Sequence, residues 1–299
     1  MKKFFAAVSI FAVLSLLADI PQSITLESGN IRIRLDSRKL WNMNRIEWKN
    51  HLLGVDQKGA HYGIAYQPQG EKFFIGSGHD ESGKTEKLIS LEIFADGKKV
   101  TPVENTVIKG KEIQINKISV ITDLEVKTMI VIQNDMIYEK AEVSALKPIK
   151  INYLYFFMHP WTTRFNKFHA VHANGKKLDV TFKSDNRFPN RNFVPSAAWY
   201  DTESGHGVVT VIKNIQGKKA PRRFLWDRSN YRKDYLCDYA HSIMEPGMVV
   251  IYEAKTGFFQ QSDSAKWIAN VEKLFEKLEK LHVQPDFSMK KLEIMNEKD

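Results

Sequence analysis

The sequence predicts an all-β protein: a large antiparallel β-sandwich with one C-terminal α-helix. Three observations predict it. From residue 24 to residue 254, short runs rich in Val, Ile, Phe, Tyr and Thr follow one another, with apolar and polar positions alternating. Asp96-Gly97 and Asn174-Gly175 punctuate those runs with hairpin signals, as do the glycine-rich breaks 59–63 and 76–83. Beyond Ser262 the apolar spacing lengthens to four and three at Trp267, Val271, Leu274, Leu278 and Leu281, the stripe of a docked helix.

Taken in order, the chain opens with Lys2-Lys3, an apolar run and small residues at Ser15 and Ala18, which reads as a signal peptide over 1–18. Periplasmic or secreted localisation follows, with no membrane association after the signal is removed. The single cysteine, Cys237, rules out an intramolecular disulfide, so the fold must rest on a large core. Residues 24–35 form a hairpin around Ser28-Gly29-Asn30, and residues 40–53 continue the alternation until Gly54. From Lys87 to Ala145, strand follows strand. Residues 151–158 are apolar on both parities, apart from Asn152 and the two tyrosine tips, as expected of a central strand covered on both sides. One parity collects Ile151, Tyr153, Tyr155, Phe157 and His159, so the strand is expected to deliver His159 to the edge of a cavity, where Pro160 stops the ladder. Residues 183–196 form a long polar loop of the kind that serves as a lid. A hairpin over 197–212, an aromatic and basic cluster over 224–241 and a last strand over 248–254 complete a β domain of residues 19–261. The helix, capped by Ser262 or Ser264 and ending near His282, and a charged tail make up 262–299.

The formal charge is +9, of which Lys2 and Lys3 belong to the signal. That balance favours an acidic partner, and for an exported chain an acidic polysaccharide before nucleic acid, whose binding motifs are missing. The Walker spacing is missing too.

Several segments together resemble the galactose mutarotase-like supersandwich superfamily of aldose epimerases and polysaccharide-lyase β domains. They are Trp41-Asn-Met-Asn-Arg-Ile-Glu-Trp48, Gly59-Ala-His-Tyr-Gly63, Gly76-Ser-Gly-His79, Leu154-Tyr-Phe-Phe-Met-His-Pro-Trp161 and Ala198-Trp-Tyr-Asp201 with Gly205-His-Gly207. The resemblance covers roughly residues 24–260 and implies carbohydrate as the partner, an oligosaccharide or uronate expected on the concave sheet face. It also implies proton transfer at a sugar carbon, by epimerisation or β-elimination, with His159 as one histidine and Glu245 or Glu253 as the base. The alternative within the fold is a non-catalytic glycan-binding protein.

The residues themselves give the candidates. His159, Tyr200 and His206 are expected to be catalytic, His159 because imidazole exchanges protons near neutral pH and Tyr200 with His206 as a pair flanking a hairpin. His79, Trp161, Arg164, His169, Arg228, Tyr231, Arg232 and Tyr235 are expected to bind substrate, the arginines by forking a carboxylate and the rings by stacking on sugar. His169 and His172, three apart in a strand, face opposite sides and share no metal. No cofactor is expected, and the one candidate ion is Ca2+ at Asp80, Glu81 and Glu86, outside any EF-hand pattern.

Overall fold

A computed structural model describes residues 22–57, 60–79, 86–103, 105–218, 221–281 and 283. The signal segment, Asp80, Glu81 and the tail beyond Pro285 lie outside the described residues. The hairpins expected near the N-terminus form β1 (Ser23–Ser28), β2 (Ile31–Asp36), β3 (Asn42–Trp48) and β4 (His51–Val55), followed by β5 (Ala65–Pro68). Next come β6 (Glu86–Ala95), β7 (Lys98–Val100), β8 (Val107–Lys109), β9 (Glu112–Ile121), β10 (Leu124–Gln133) and β11 (Met136–Ala145). The central strand β12 (Ile149–Trp161) is followed by β13 (Lys167–Val171), β14 (Lys177–Thr181), β15 (Arg187–Asn190), β16 (Ser196–Tyr200) and β17 (His206–Gln216). The chain continues through β18 (Arg222–Asp227), β19 (Arg232–Asp238), β20 (Ser242–Met244), β21 (Val249–Gln260) and α1 (Trp267–Lys280).

These strands make two sheets. The first runs β15-β18-β19-β12-β4-β3-β2-β1-β8, with β5 and β20 also pairing β12; the second runs β14-β13-β16-β17-β21-β11-β10-β9-β6-β7. Pairing is antiparallel except between β1 and β8. Alternation along each strand sends Ile24, Leu26, Ile33 and Leu35 of the first sheet inward against Ile113, Ile115 and Val208 of the second. Leu154, Phe156 and Leu236 meet Val126, Val143 and Tyr252 in the other half of the core. The supposed lid over 183–196 is not free: its middle adds β15 to the edge of the first sheet.

The helix covers the outer face of the second sheet. Trp267, Val271, Phe275 and Leu278 are buried against Tyr138, Tyr200, Val209 and Phe259. Its first residue follows Lys266, which makes no side-chain cap, so the expected cap at Ser262 or Ser264 is not formed. The other end is held from the sheet: buried Lys255 donates to the carbonyls of Leu278 at 2.8 Å and Leu281 at 2.5 Å, which the helix itself leaves unpaired. No helix among the described residues is long and apolar enough to cross a membrane.

Inside the first sheet, the Arg223 guanidinium forks the Asp234 carboxylate at 2.9 and 2.8 Å and also donates to the carbonyls of Val194 and Pro195. Both side chains are about 1% exposed. Removing one charge of such a pair strands the other in the core. Asp234→Asn should therefore lower unfolding free energy by about 3–5 kcal/mol, measured by chemical denaturation; a loss within error of zero would contradict the buried pairing.

Candidate functional site

The outer face of the first sheet carries the aromatic ground on which a site can form. It is shaped by two irregularities in β12. Against β5, Ile151 pairs Pro68 but Tyr153 pairs Gln67, so one extra residue is inserted; against β19, Phe156 pairs Leu236 and His159 pairs Asp234, a second insertion. Each bulge moves the following side chains to the opposite face. Tyr153, Tyr155 and Met158 thus lie outside, with Tyr235 and Cys237 of β19 and Phe224 of β18. Leu154, Phe156, His159 and Trp161 lie inside.

Outside, the rings touch in sequence. Phe74 stacks on Tyr155 with centroids 5.0 Å apart, Tyr155 meets Tyr235 at 4.6 Å, and Tyr235 meets Phe224 at 5.3 Å. Phe224 then meets Phe188 at 6.0 Å, and Phe188 stacks on Trp226 at 4.8 Å. The guanidiniums of Arg191 and Arg228 lie 4.5 Å over Phe188 and Trp226. Burial pushes the Tyr155 and Tyr235 hydroxyls up, so both remain protonated.

A polar group sits at the end of this strip nearest β4. Lys233, beside Tyr235 on the same parity of β19, is 6% exposed. Burial holds its ammonium down to about 8, against the opposing pull of the Asp56 carboxylate. His61 Nδ1 lies 3.0 Å from Asp56 Oδ1, Lys39 Nζ 3.8 Å from the same oxygen, and the His61 ring meets His79 edge-on at 4.8 Å. His79 in turn contacts Phe74, which joins the two groups. An amine that loses its proton near pH 8, under the influence of a nearby carboxylate, can accept and return a proton above that pH.

The expected site residues divide by face. His79, Arg228, Tyr231 and Tyr235 lie on this outer side, Tyr231 and Tyr235 buried beneath its rings; Arg228 stacks on Trp226, whose ring also meets Tyr231. The others do not join them. His159 is 1% exposed, between the sheets, with Nε2 2.7 Å from Glu139 Oε2, because the second bulge inverts the expected parity. Nor does Pro160 end the ladder: it pairs Lys233 and the strand runs on to Trp161. Trp161 is fully buried against Trp199 and Phe165. Arg232 points inward and pairs Asp227 at 2.7 Å while donating to the carbonyl of Phe165, so it is not free to hold a carboxylate of a ligand. Tyr200 lies beneath α1, stacked on Trp267, whereas His206 faces the sandwich interior against Trp48 and His51; they occupy opposite faces of one hairpin. Burial and the neighbouring His51 push the His206 imidazole down. His169 is buried under the helix with Nδ1 2.7 Å from Asp179 Oδ1. Arg164 is exposed in the turn after β12. Glu245 is exposed in a turn after β20, and Glu253 bonds Tyr138 on the second sheet, so neither stands beside His159. Glu86, the described member of the expected Ca2+ set, is buried and engaged by Lys117 at 3.2 Å and the Ser77 amide at 2.8 Å.

Asp56, Phe74 and Tyr155 were not among the expected site residues. Asp56 and Phe74 come from irregular connections without a period to read, and Lys233 is one cation of the aromatic and basic cluster over 224–241, with no signal that sets it apart.

No family model and no curated protein matches the chain. Among solved structures, it is similar to Slr1438 of Synechocystis sp. PCC 6803 at 9% identity and TM-score 0.52, over 81% of this chain and 97% of that one. It is also similar to the α-N-acetylgalactosaminidase NagBb of Bifidobacterium bifidum at 8% identity and TM-score 0.53, over 85% of this chain. The match spans 38% of that enzyme, well under half its length. A putative aldose 1-epimerase of Escherichia coli K12 aligns at 9% identity and TM-score 0.46, over 80% of this chain and 99% of its own.

The depressed Lys233 gives the fold a pH dependence. Unfolding returns the amine to its ordinary value of 10.5, so below about 8 the folded state bears the full cost of a buried ammonium. Between about 8 and 10.5 the unfolded chain binds more protons, and stability contributed by this group rises with pH. Lys233→Met should therefore raise the thermal midpoint at pH 7, by an increment that shrinks as pH climbs through that window. A gain independent of pH, or a loss at pH 7, would contradict the buried amine.

Proposed function

We propose that this chain, which has the supersandwich fold of the galactose mutarotase-like superfamily, is a carbohydrate-active protein that binds an oligosaccharide or uronate on the outer face of its first sheet. The observation that carries the proposal is the contiguous strip Phe74–Tyr155–Tyr235–Phe224–Phe188–Trp226. Sugar rings present apolar C–H faces with hydroxyl rims, and aromatic side chains with polar tips complement both. The name of NagBb, an enzyme acting on a glycoside, supports the same substrate class. Arg191 and Arg228, at the far end of the strip, suit a carboxylate.

A second reading, proton transfer at a sugar carbon, is favoured by Lys233 with Asp56 and His61. In β-elimination from a uronate, above about pH 8, where Lys233 is unprotonated, its amine takes the C5 proton, the released pair forms the C4–C5 double bond, and the C4–O bond breaks. The Lys233 ammonium so formed returns that proton to the leaving oxygen. Epimerisation would use the same amine with return of the proton. The alternative is glycan binding without turnover. The Lys2-Lys3 and apolar N-terminal pattern supports export, and we extend the proposal to a periplasmic or secreted protein.

Affinity electrophoresis in neutral and acidic polysaccharides tests the binding claim. Retardation of the wild type should weaken about tenfold in Trp226→Ala, the worth of one lost ring contact; a wild type that migrates freely in every glycan removes the proposal. Incubation with acidic polysaccharide, followed by absorbance of an unsaturated uronate and by anomer ratio, decides the second reading. Turnover lost in Lys233→Ala supports it, and binding with neither signal leaves a glycan-binding protein.

A further inference from the structure

A pocket opens on the same outer face, toward the opposite edge of the first sheet. Its volume is about 410 Å3, and Ser23, Thr25, Arg32, Arg34, Arg45 and Asn105 contribute to its lining, with Glu47 at its wall. The register explains how these charges gather. Thr25 pairs Arg34, Arg34 pairs Arg45 and Arg45 pairs Val55, one row across β1, β2, β3 and β4. Ile33, Leu35 and Ile46 fill the inward parity, so Arg32, Arg34 and Arg45 all project outward.

Arg34 and Arg45 are directly opposed on adjacent strands, an arrangement that repels when nothing negative lies between. The carboxylates at hand satisfy only part of the charge. Arg45 is 2.5 Å from Glu47, and Arg32 is 3.4 Å from Glu27, which Lys109 also holds at 2.9 Å. Arg34 forms no ion pair among the described residues; its guanidinium donates to Ser23 Oγ at 3.3 Å, and the nearby Asp36 carboxylate is forked by Arg38. Hydroxyl and amide groups of Ser23, Thr25 and Asn105 complete a wall of hydrogen-bonding groups. Two like charges facing each other over an open polar pocket are matched by an oxyanion with at least two acceptor oxygens. β3 lies three strand spacings from β19, about 15 Å, so one extended ligand can reach from Lys233 to Arg45 along the same face.

We infer that this pocket is an anion subsite, taking the carboxylate or sulfate of an acidic glycan whose other rings lie on the aromatic strip. The inference rests on the glycan-binding reading above and names its substrate class. Calorimetric titration of the full chain tests it with four ligands: an oligogalacturonate, a sulfated galacto-oligosaccharide, a neutral galacto-oligosaccharide of equal length, and free galacturonate. The wild type should prefer an acidic oligosaccharide to the neutral one, with the preference shrinking as salt rises; which acidic ligand binds identifies the group. R34Q/R45Q should weaken that ligand about ten- to a hundredfold while leaving the neutral one unchanged. Arg45→Lys, which keeps the charge but loses the fork, should fall between, and circular dichroism melts establish that both variants are folded. Equal wild-type affinity for acidic and neutral ligands, or a double variant that weakens both alike, overturns the inference while leaving the glycan reading standing. If no oligosaccharide binds at all, the glycan reading fails. Free galacturonate then decides the pocket by itself: binding abolished in R34Q/R45Q upholds an anion site, and no binding overturns it.

Discussion

The backbone of Phe157 decides which side chains of β12 face the ligand surface. Its φ is +48°, a left-handed conformation that a bulky residue adopts only where the surroundings impose it. The residue inserted there against β19 turns one strand into two amphipathic halves. Before it, tyrosines point outward onto the aromatic strip; beyond it, His159 and Trp161 point inward and knit the sheets together. Without that insertion His159 would stand beside Tyr155, and Glu139 would lose its partner in the core.

The charged groups inside the sandwich act through the loops they fasten. Arg223 donates to the carbonyls of Val194 and Pro195, which fixes the segment after β15 and so the position of Phe188 on the strip. Arg232 holds the carbonyl of Phe165 and the Ser184 hydroxyl while paired to Asp227. Such pairs recover little net energy, since desolvation offsets their attraction, but removing one member leaves a bare charge. In a chain with one cysteine, buried with its thiol pushed up to about 12, these internal forks do the fastening that disulfides perform elsewhere.

Much of this architecture is legible in the sequence. The period of two in β2, β10 and β11, the turns at Asp96-Gly97 and Asn174-Gly175, and the lengthened period of α1 each follow from which positions must be buried. The faces of β12 are not legible, because a strand apolar on both sides carries no parity signal with which to detect an inserted residue. His159 therefore faces the interior and not the cavity edge that the alternation predicts. Arg232 and Lys233 are adjacent cations in the sequence, yet one serves the core and the other the outer face, a distinction set by pairing with Trp161 and Pro160. Lys255 as the support of the helix end, and Asp56 as the carboxylate that acts on Lys233, depend on contacts distant in sequence.

The central claim is that ligand lies on the outer face of the first sheet, against the strip and not between the sheets or under α1. A crystal structure of the full chain soaked with an acidic oligosaccharide tests it most directly. The account predicts sugar rings against Tyr155, Phe188 and Trp226 with an acidic group toward Arg34 and Arg45. Sugar bound beside His159 in the interior, or on the helix side near His169, would contradict it.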